Sequence, residues 1–158
     1  MNMMSINHGA KGIVMWTWPT TAELAGVTSK LANTLTQDCA KWILGGKRLG
    51  PSSVIGGQGG VDVSVWMAGT EIMISVINTS RNAQRGTVKV QMPDGIKITS
   101  RGSTIWGDGS AWNIDGSQSS ILRANTPALS VDVFSVKFSE GVVEPDNTLL
   151  APIINRPS

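Results

Sequence analysis

Residues 61–80 read VDVSVWMAGTEIMISVINTS, and the period of this stretch decides the fold. Val61, Val63 and Val65 alternate with Asp62, Ser64 and Trp66, the two-residue repeat of a strand with one face on a core. Ala68-Gly69-Thr70 supplies a tight turn, and Ile72, Ile74 and Val76 then repeat the pattern. Downstream, Val88, Val90 and Met92 form a third strand that Pro93-Asp94-Gly95 ends. Residues 96–98, 104–106, 111–114 and 120–124 read as further short strands, separated by turns such as Gly107-Asp108-Gly109. In the last strand Leu129, Val131 and Val133 hold one phase and Phe134, Val136 and Phe138 the other. That slip predicts a β-bulge near Val133. Roughly six to eight strands with closely spaced turns predict a mainly β fold: an antiparallel β-sandwich of Greek-key, immunoglobulin-like kind.

Upstream the period changes from 2 to 3.6. Residues 12–18 (GIVMWTW) are a short apolar run that Pro19 closes, and they read as a strand buried on both faces. Thr20-Thr21-Ala22-Glu23 fits a capping box in which the Thr20 hydroxyl takes the Glu23 amide. From there Leu24, Val27, Thr28, Leu31, Ala32, Leu35, Cys39, Trp42 and Ile43 fall on one helical stripe, which predicts one long α-helix ended by Gly45-Gly46. The expected organisation is a strand and helix over 1–46 and a Gly/Pro/Ser-rich linker over 47–60. A β-sandwich over 61–140 and an extended tail over 141–158 complete it. The glycines of 56–60 invite a phosphate-loop reading, but no Gly-Lys-Ser/Thr ending and no helix pattern follow them.

Composition narrows the function. The chain has 158 residues, 15% charged and 41% hydrophobic, too apolar and too sparsely charged for a disordered segment. Thirteen Lys and Arg against 11 Asp and Glu leave a charge of +2, with no basic run to hold phosphates, so nucleic acid is not the expected partner. Cys39 is the only cysteine and His8 the only histidine, which rules out a disulfide framework or a Cys/His zinc site within the chain. No cofactor is expected. Cys39 reads as a small buried apolar residue, and His8, in Asn7-His8-Gly9, as a loop hydrogen-bonding residue. Met1 to Ala10 lacks the basic-then-apolar pattern of a signal peptide, and no run of 18 apolar residues exists to span a membrane. Localisation is left open.

Taken in order, several segments resemble the C-terminal part of retaining (β/α)8-barrel glycoside hydrolases, fungal ones above all. INHGAKGIVMWTWP (residues 6–19) resembles the loop and eighth strand of the barrel, and AKWILGG (residues 40–46) the end of the helix that leaves it. Residues 59–80 and 128–138 resemble strands of the appended β-sandwich. The resemblance implies a secreted origin, and it implies what is missing. The catalytic acid/base and nucleophile carboxylates of such enzymes sit on the fourth and seventh barrel strands, and this chain begins near the eighth. The chain by itself is therefore expected not to be an enzyme.

What the resemblance carries over is sugar contact, because an aromatic residue near the end of the eighth strand floors the subsite of the scissile sugar. Trp16 and Trp18 occupy the matching region, where an indole gives sugar C–H groups a broad apolar platform, unless both simply pack in the core. Trp106 and Trp112 bracket Gly107-Asp108-Gly109-Ser110 and are expected to meet across a hairpin, with Asp108, Ser110 and Asn113 as polar partners of a lectin-type site. Asp108 and Asp115 also suit plain turns, and Glu23 suits the cap. Trp66 is out of phase with its valines and is expected to pack under the helix of the first half. Asn78-Thr79-Ser80 is a glycosylation sequon. An apolar strand over 12–18 without neighbours exposes unpaired backbone groups, which predicts homodimerisation through that segment. Two readings follow: a non-catalytic carbohydrate- or glycan-binding domain that uses Trp residues, or a purely structural accessory domain of a larger glycosidase.

Overall fold

The computed structural model describes residues 2–14, 21–49, 54–55, 60–92, 95–115, 117 and 120–140. The fold is mainly β, as the alternation in 61–80 predicts. In chain order the helices are α1 (Asn2–Asn7), α2 (Ala22–Asn33) and α3 (Ala40–Ile43). The strands are β1 (Lys47–Arg48), β2 (Val54–Ile55), β3 (Val61–Ala68), β4 (Glu71–Asn78), β5 (Gln84–Gln91), β6 (Ile96–Trp106), β7 (Asn113–Asp115), β8 (Ser120–Thr126) and β9 (Val131–Glu140). They form two antiparallel sheets, one of order β1-β3-β4-β9-β6 and one of order β2-β5-β8-β7.

The β3–β4 hairpin is the centre of the five-stranded sheet. Ala68 pairs with Glu71, so only Gly69 and Thr70 make the turn, and Gly69 takes a φ of +58°. A glycine at the first central position is what a type II′ turn needs, and its twist matches that of the flanking strands. One core draws Val65, Ile72, Ile74, Val76, Phe134 and Val136 from this sheet and Val90 and Ile121 from the other, with Trp112 among them. Two sheets sharing one core is the arrangement of a β-sandwich.

The opposite face of the five-stranded sheet is covered as well. Trp66, Met73, Ile77 and Val133 pack in a second cluster with Met3 and Ile6 of α1 and with Cys39, Trp42 and Ile43. Trp66 thus lies under the helical segment, as its phase predicts. Seven consecutive residues of β4, from Ile72 to Asn78, are buried because the strand has apolar layers on both sides.

Several expectations are corrected. The phase slip in the last strand is no bulge within β9, whose register with β4 runs unbroken from Val131 to Lys137. It reflects double coverage: Val131 and Val133 face the helical layer, while Phe134, Val136 and Phe138 face the core between the sheets. The irregularities lie in the partner strand, where the β6 register shifts three times against β9. These shifts let 96–98 and 104–106, expected as two strands, run as one of 11 residues. The segment 47–60, expected as a linker, supplies β1 and β2, which pair with β3 and β5.

The expected long helix is divided. Its N-cap is Thr21, not Thr20, and the Thr21 hydroxyl accepts from the Leu24 amide at 3.1 Å. After α2 the backbone widens into a π turn over Thr34–Asp38, closed by the Cys39 amide on the Thr34 carbonyl, before α3 resumes. The Thr36 hydroxyl donates to the Ala32 carbonyl at 2.8 Å, a back-bond that competes with the regular ladder and bends helices. Gly46 follows α3 where a Cβ would run into the Trp42 and Met67 carbonyls, so a glycine is required for the chain to pass into β1. α1 was not predicted. Of the expected strand over 12–18, residues 12–14 carry no strand, and Val14 is exposed. Residues 15–18, and the tail over 141–158, lie outside the described residues.

Candidate functional site

Three regions of the described surface and core bear on function. The first is the end of the sandwich where the tryptophans of the expected hairpin lie. They do not meet. Trp112 is fully buried in the core between the sheets, its ring stacked on Phe134 at 5.5 Å. Trp106 is half-buried against the helical layer on the other side of the sheet, with the Lys30 ammonium 5.0 Å from its ring centre. Trp112 therefore offers no face to a sugar, and its place in the expected lectin-type site is withdrawn.

The reason Trp112 is held so deep is a buried polar network. Its indole N–H donates to Asp132 Oδ2 at 3.1 Å, and the Asp108 amide donates to Asp132 Oδ1 at 2.8 Å. Arg123 Nη1 donates to the same Asp132 carboxylate, and Arg123 Nε donates to the Asn125 carbonyl at 2.8 Å. Both charged side chains are buried, Arg123 coming from the four-stranded sheet and Asp132 from the five-stranded one. Arg101 donates to the carbonyls of Gly109 and Trp112 and fixes the loop from below. Neither Asp132 nor Arg123 was singled out in the sequence. The available signal was an aspartate in phase with Phe134 and Val136, a charge on a core face.

Asp108 itself stays at the surface. The Ser110 hydroxyl, 2.5 Å from its carboxylate, holds its pKa below the usual carboxylate value, with the Ala111 and Ser110 amides and Arg123 acting in the same direction. A carboxylate so held is ionised at neutral pH and is no proton donor. Trp16 and Trp18 lie outside the described residues.

The second region is the sequon. Asn78 is 1% exposed, and its side-chain amide donates to the carbonyls of Asn82, Thr126 and Pro127, the last at 2.7 Å. In the folded protein this amide is committed to the chain's own carbonyls, the structural turn role that the sequon segment also allows. Its role is to tie the end of β4 to the loop after β8. Asn78→Ala is expected to lower unfolding free energy by about 1–3 kcal/mol, because it strands buried carbonyls. Thermal melts of the two proteins check this, and equal melting temperatures would refute the role.

The third region is the helical layer. α2 buries none of its residues. Leu24 is 49% exposed and Val27 52%, although both lie on the predicted apolar stripe, and Leu44 is 65% exposed and Val14 86%. A groove of about 260 Å³ opens on one side of α2, with Ile6, Ile13, Leu31, Leu35 and Ile43 in its walls and Lys11 beside them. A cleft of about 400 Å³ opens on the other side, walled by Met3, Met4, Val27, Leu31, Ile77, Trp106 and Val131. This cleft has no polar side chain among its described lining residues.

Elsewhere in the layer, His8 Nε2 lies 3.1 Å from Asp62 Oδ2 on β3, an oxygen that makes no hydrogen bond among the described residues. Burial, with Asp38 nearby as a lesser cause, pushes the Cys39 thiol up to about 11, so it is an inert apolar residue here. Among the described residues no group of His, Cys, Asp and Glu is placed to hold a metal ion, and no helix is long and apolar enough to cross a membrane. Comparison with protein-family models, with curated proteins and with solved structures finds no match to this chain.

Proposed function

We propose that this chain is a non-catalytic accessory domain whose helical layer is a docking face for a larger protein body. The observation that carries the reading is the exposed apolar stripe of α2. An amphipathic helix is normally retained because its apolar stripe is buried, yet among the described residues this one leaves Leu24 and Val27 exposed and only partly covers Leu31. Covering a Leu or Val fully is worth about 1.5–3 kcal/mol each, so the exposed Leu24 and Val27 of α2 have much to gain from a partner. The resemblance to (β/α)8 glycoside hydrolases supports a barrel body as that partner, because it aligns this segment with the strand and helix that close such a barrel.

A glycan-binding reading retains Trp106 and Asp108 at the surface. Sugar recognition needs a ring face open to the ligand and polar groups beside it; the Lys30 ammonium already lies over the Trp106 ring and the described lining of the cleft is apolar, so the docking reading is preferred. A glycan array tests the alternative: saturable binding lost in Trp106→Ala would reverse the preference.

The docking face has its own test. The double variant Leu24→Glu/Val27→Glu changes two exposed positions and is expected to leave the melting temperature nearly unchanged. A hydrophobic fluorescent dye is expected to bind the wild-type chain and to lose most of its signal on the variant. Equal dye fluorescence from the two proteins would remove α2 from the reading.

A further inference from the structure

The groove on the α1 side of α2 differs from the exposed stripe in being concave and singly charged. We propose that it is a binding site for a medium-chain monocarboxylate, an acyl tail in the groove with its carboxylate on Lys11. Ile6, Ile13, Leu31, Leu35 and Ile43 supply apolar walls from three separate segments of the chain. The volume of about 260 Å³ is open along one side and has room for an extended acyl tail of several methylenes. Lys11 is the only ionisable side chain among the described lining residues, so the charge the groove complements is a single negative one.

The position of that cation is fixed. Its ammonium donates to the Ile43 carbonyl at the end of α3. One bond leaves two of its three N–H donors for a carboxylate. The floor is shaped by the π turn, which carries Leu35 and Thr36 into the lining, and single π turns recur where helices build ligand sites. A neutral apolar ligand would leave the ammonium unused, and a dianion would bring a second charge with no cation to meet it.

The site goes beyond the docking face, and its test separates the two, because Leu24 and Val27, the positions the docking variant changes, do not line the groove. Calorimetric titration of the purified chain with hexanoate, octanoate and decanoate, each below its micelle concentration, is expected to show one saturable site. Affinity should tighten about four-fold per added methylene until the groove is full. Lys11→Met is expected to weaken decanoate about ten-fold and to leave decanol unchanged, since the variant keeps the apolar stem. Ala32→Phe, at an exposed position on the groove wall, is expected to abolish both. Absence of saturable binding to the wild-type chain overturns the proposal, as does equal decanoate affinity in the wild type and Lys11→Met. Retained binding in Leu24→Glu/Val27→Glu separates the groove from the docking face.

Discussion

Asp132→Ala is expected to lower unfolding free energy by about 3–5 kcal/mol, the range seen when one partner of a buried ion pair is removed. The side chain is 4% exposed and that of its partner Arg123 10%, so little solvent reaches either charge. Removing the carboxylate strands three donors at once: the Arg123 guanidinium, the Trp112 indole and the Asp108 amide. The guanidinium is the costly one, since the carboxylate that remains near it, Asp108 at 3.9 Å, is at the surface and cannot replace the buried counter-charge. Natural domains of this size have only about 5–15 kcal/mol to lose. The double variant Arg123→Met/Asp132→Leu is the control. It removes both charges and keeps apolar volume, and it is expected to lie closer to the wild type than the single variant does. Urea unfolding of the three proteins measures the difference. A single-variant loss under about 1 kcal/mol would mean that the pair is not buried in solution.

The same aspartate shows how far the fold could be read from the sequence. The two-residue period of Val61–Ala68 and Glu71–Asn78 made the β3–β4 hairpin legible down to its Gly69-Thr70 turn. The number of layers was harder to see. Strict alternation describes a strand with one wet face, whereas β9 is covered on both, so Val133 and Phe134 are both buried and the pattern looked like a slip. Asp132 was hidden by the same density of apolar neighbours, because alternation alone does not say which face a polar residue crosses.

The helical layer was legible in period but not in burial. The stripe of Leu24, Val27, Leu31 and Leu35 is a correct amphipathic pattern, yet periodicity reports a face that can be covered and not one that is. The π turn leaves no trace in hydrophobic spacing, since it is a backbone event, the Cys39 amide on the Thr34 carbonyl, with the Thr36 hydroxyl back-bonded to the Ala32 carbonyl within it. The tryptophans divide on similar grounds. Trp66 could be placed by phase within a long strand. Trp106 and Trp112 could not, since a short 3-10 segment, Gly109–Ala111, stands between them where a simple hairpin is expected, and they pack in different clusters.

Trp66→Ala carries the second large effect, an expected loss of about 3–5 kcal/mol from truncating a fully buried indole. Trp66 is 2% exposed and lies on the face of the five-stranded sheet away from the sandwich core, in one cluster with Cys39, Trp42 and Ile43. It pairs across the hairpin with Met73, which is also buried, so the cavity would open beneath α3 with no flexible surface group to fill it. A Trp66→Phe variant leaves a smaller void and is expected to lose less, because the cost grows with the volume that stays empty. The location of the damage is as informative as its size. If the helical layer is an integral part of the fold, amides of α3 and β3 should lose hydrogen-exchange protection while β5 and β8, in the other sheet, keep theirs until global unfolding. α2, which has no fully buried residue, should exchange faster than α3 and β3 in the wild type. A Trp66→Ala chain as stable as the wild type would mean that the layer does not rest on the sheet in solution. The exposed stripe of α2 would then be the edge of a loose appendage and not a face held ready for a partner.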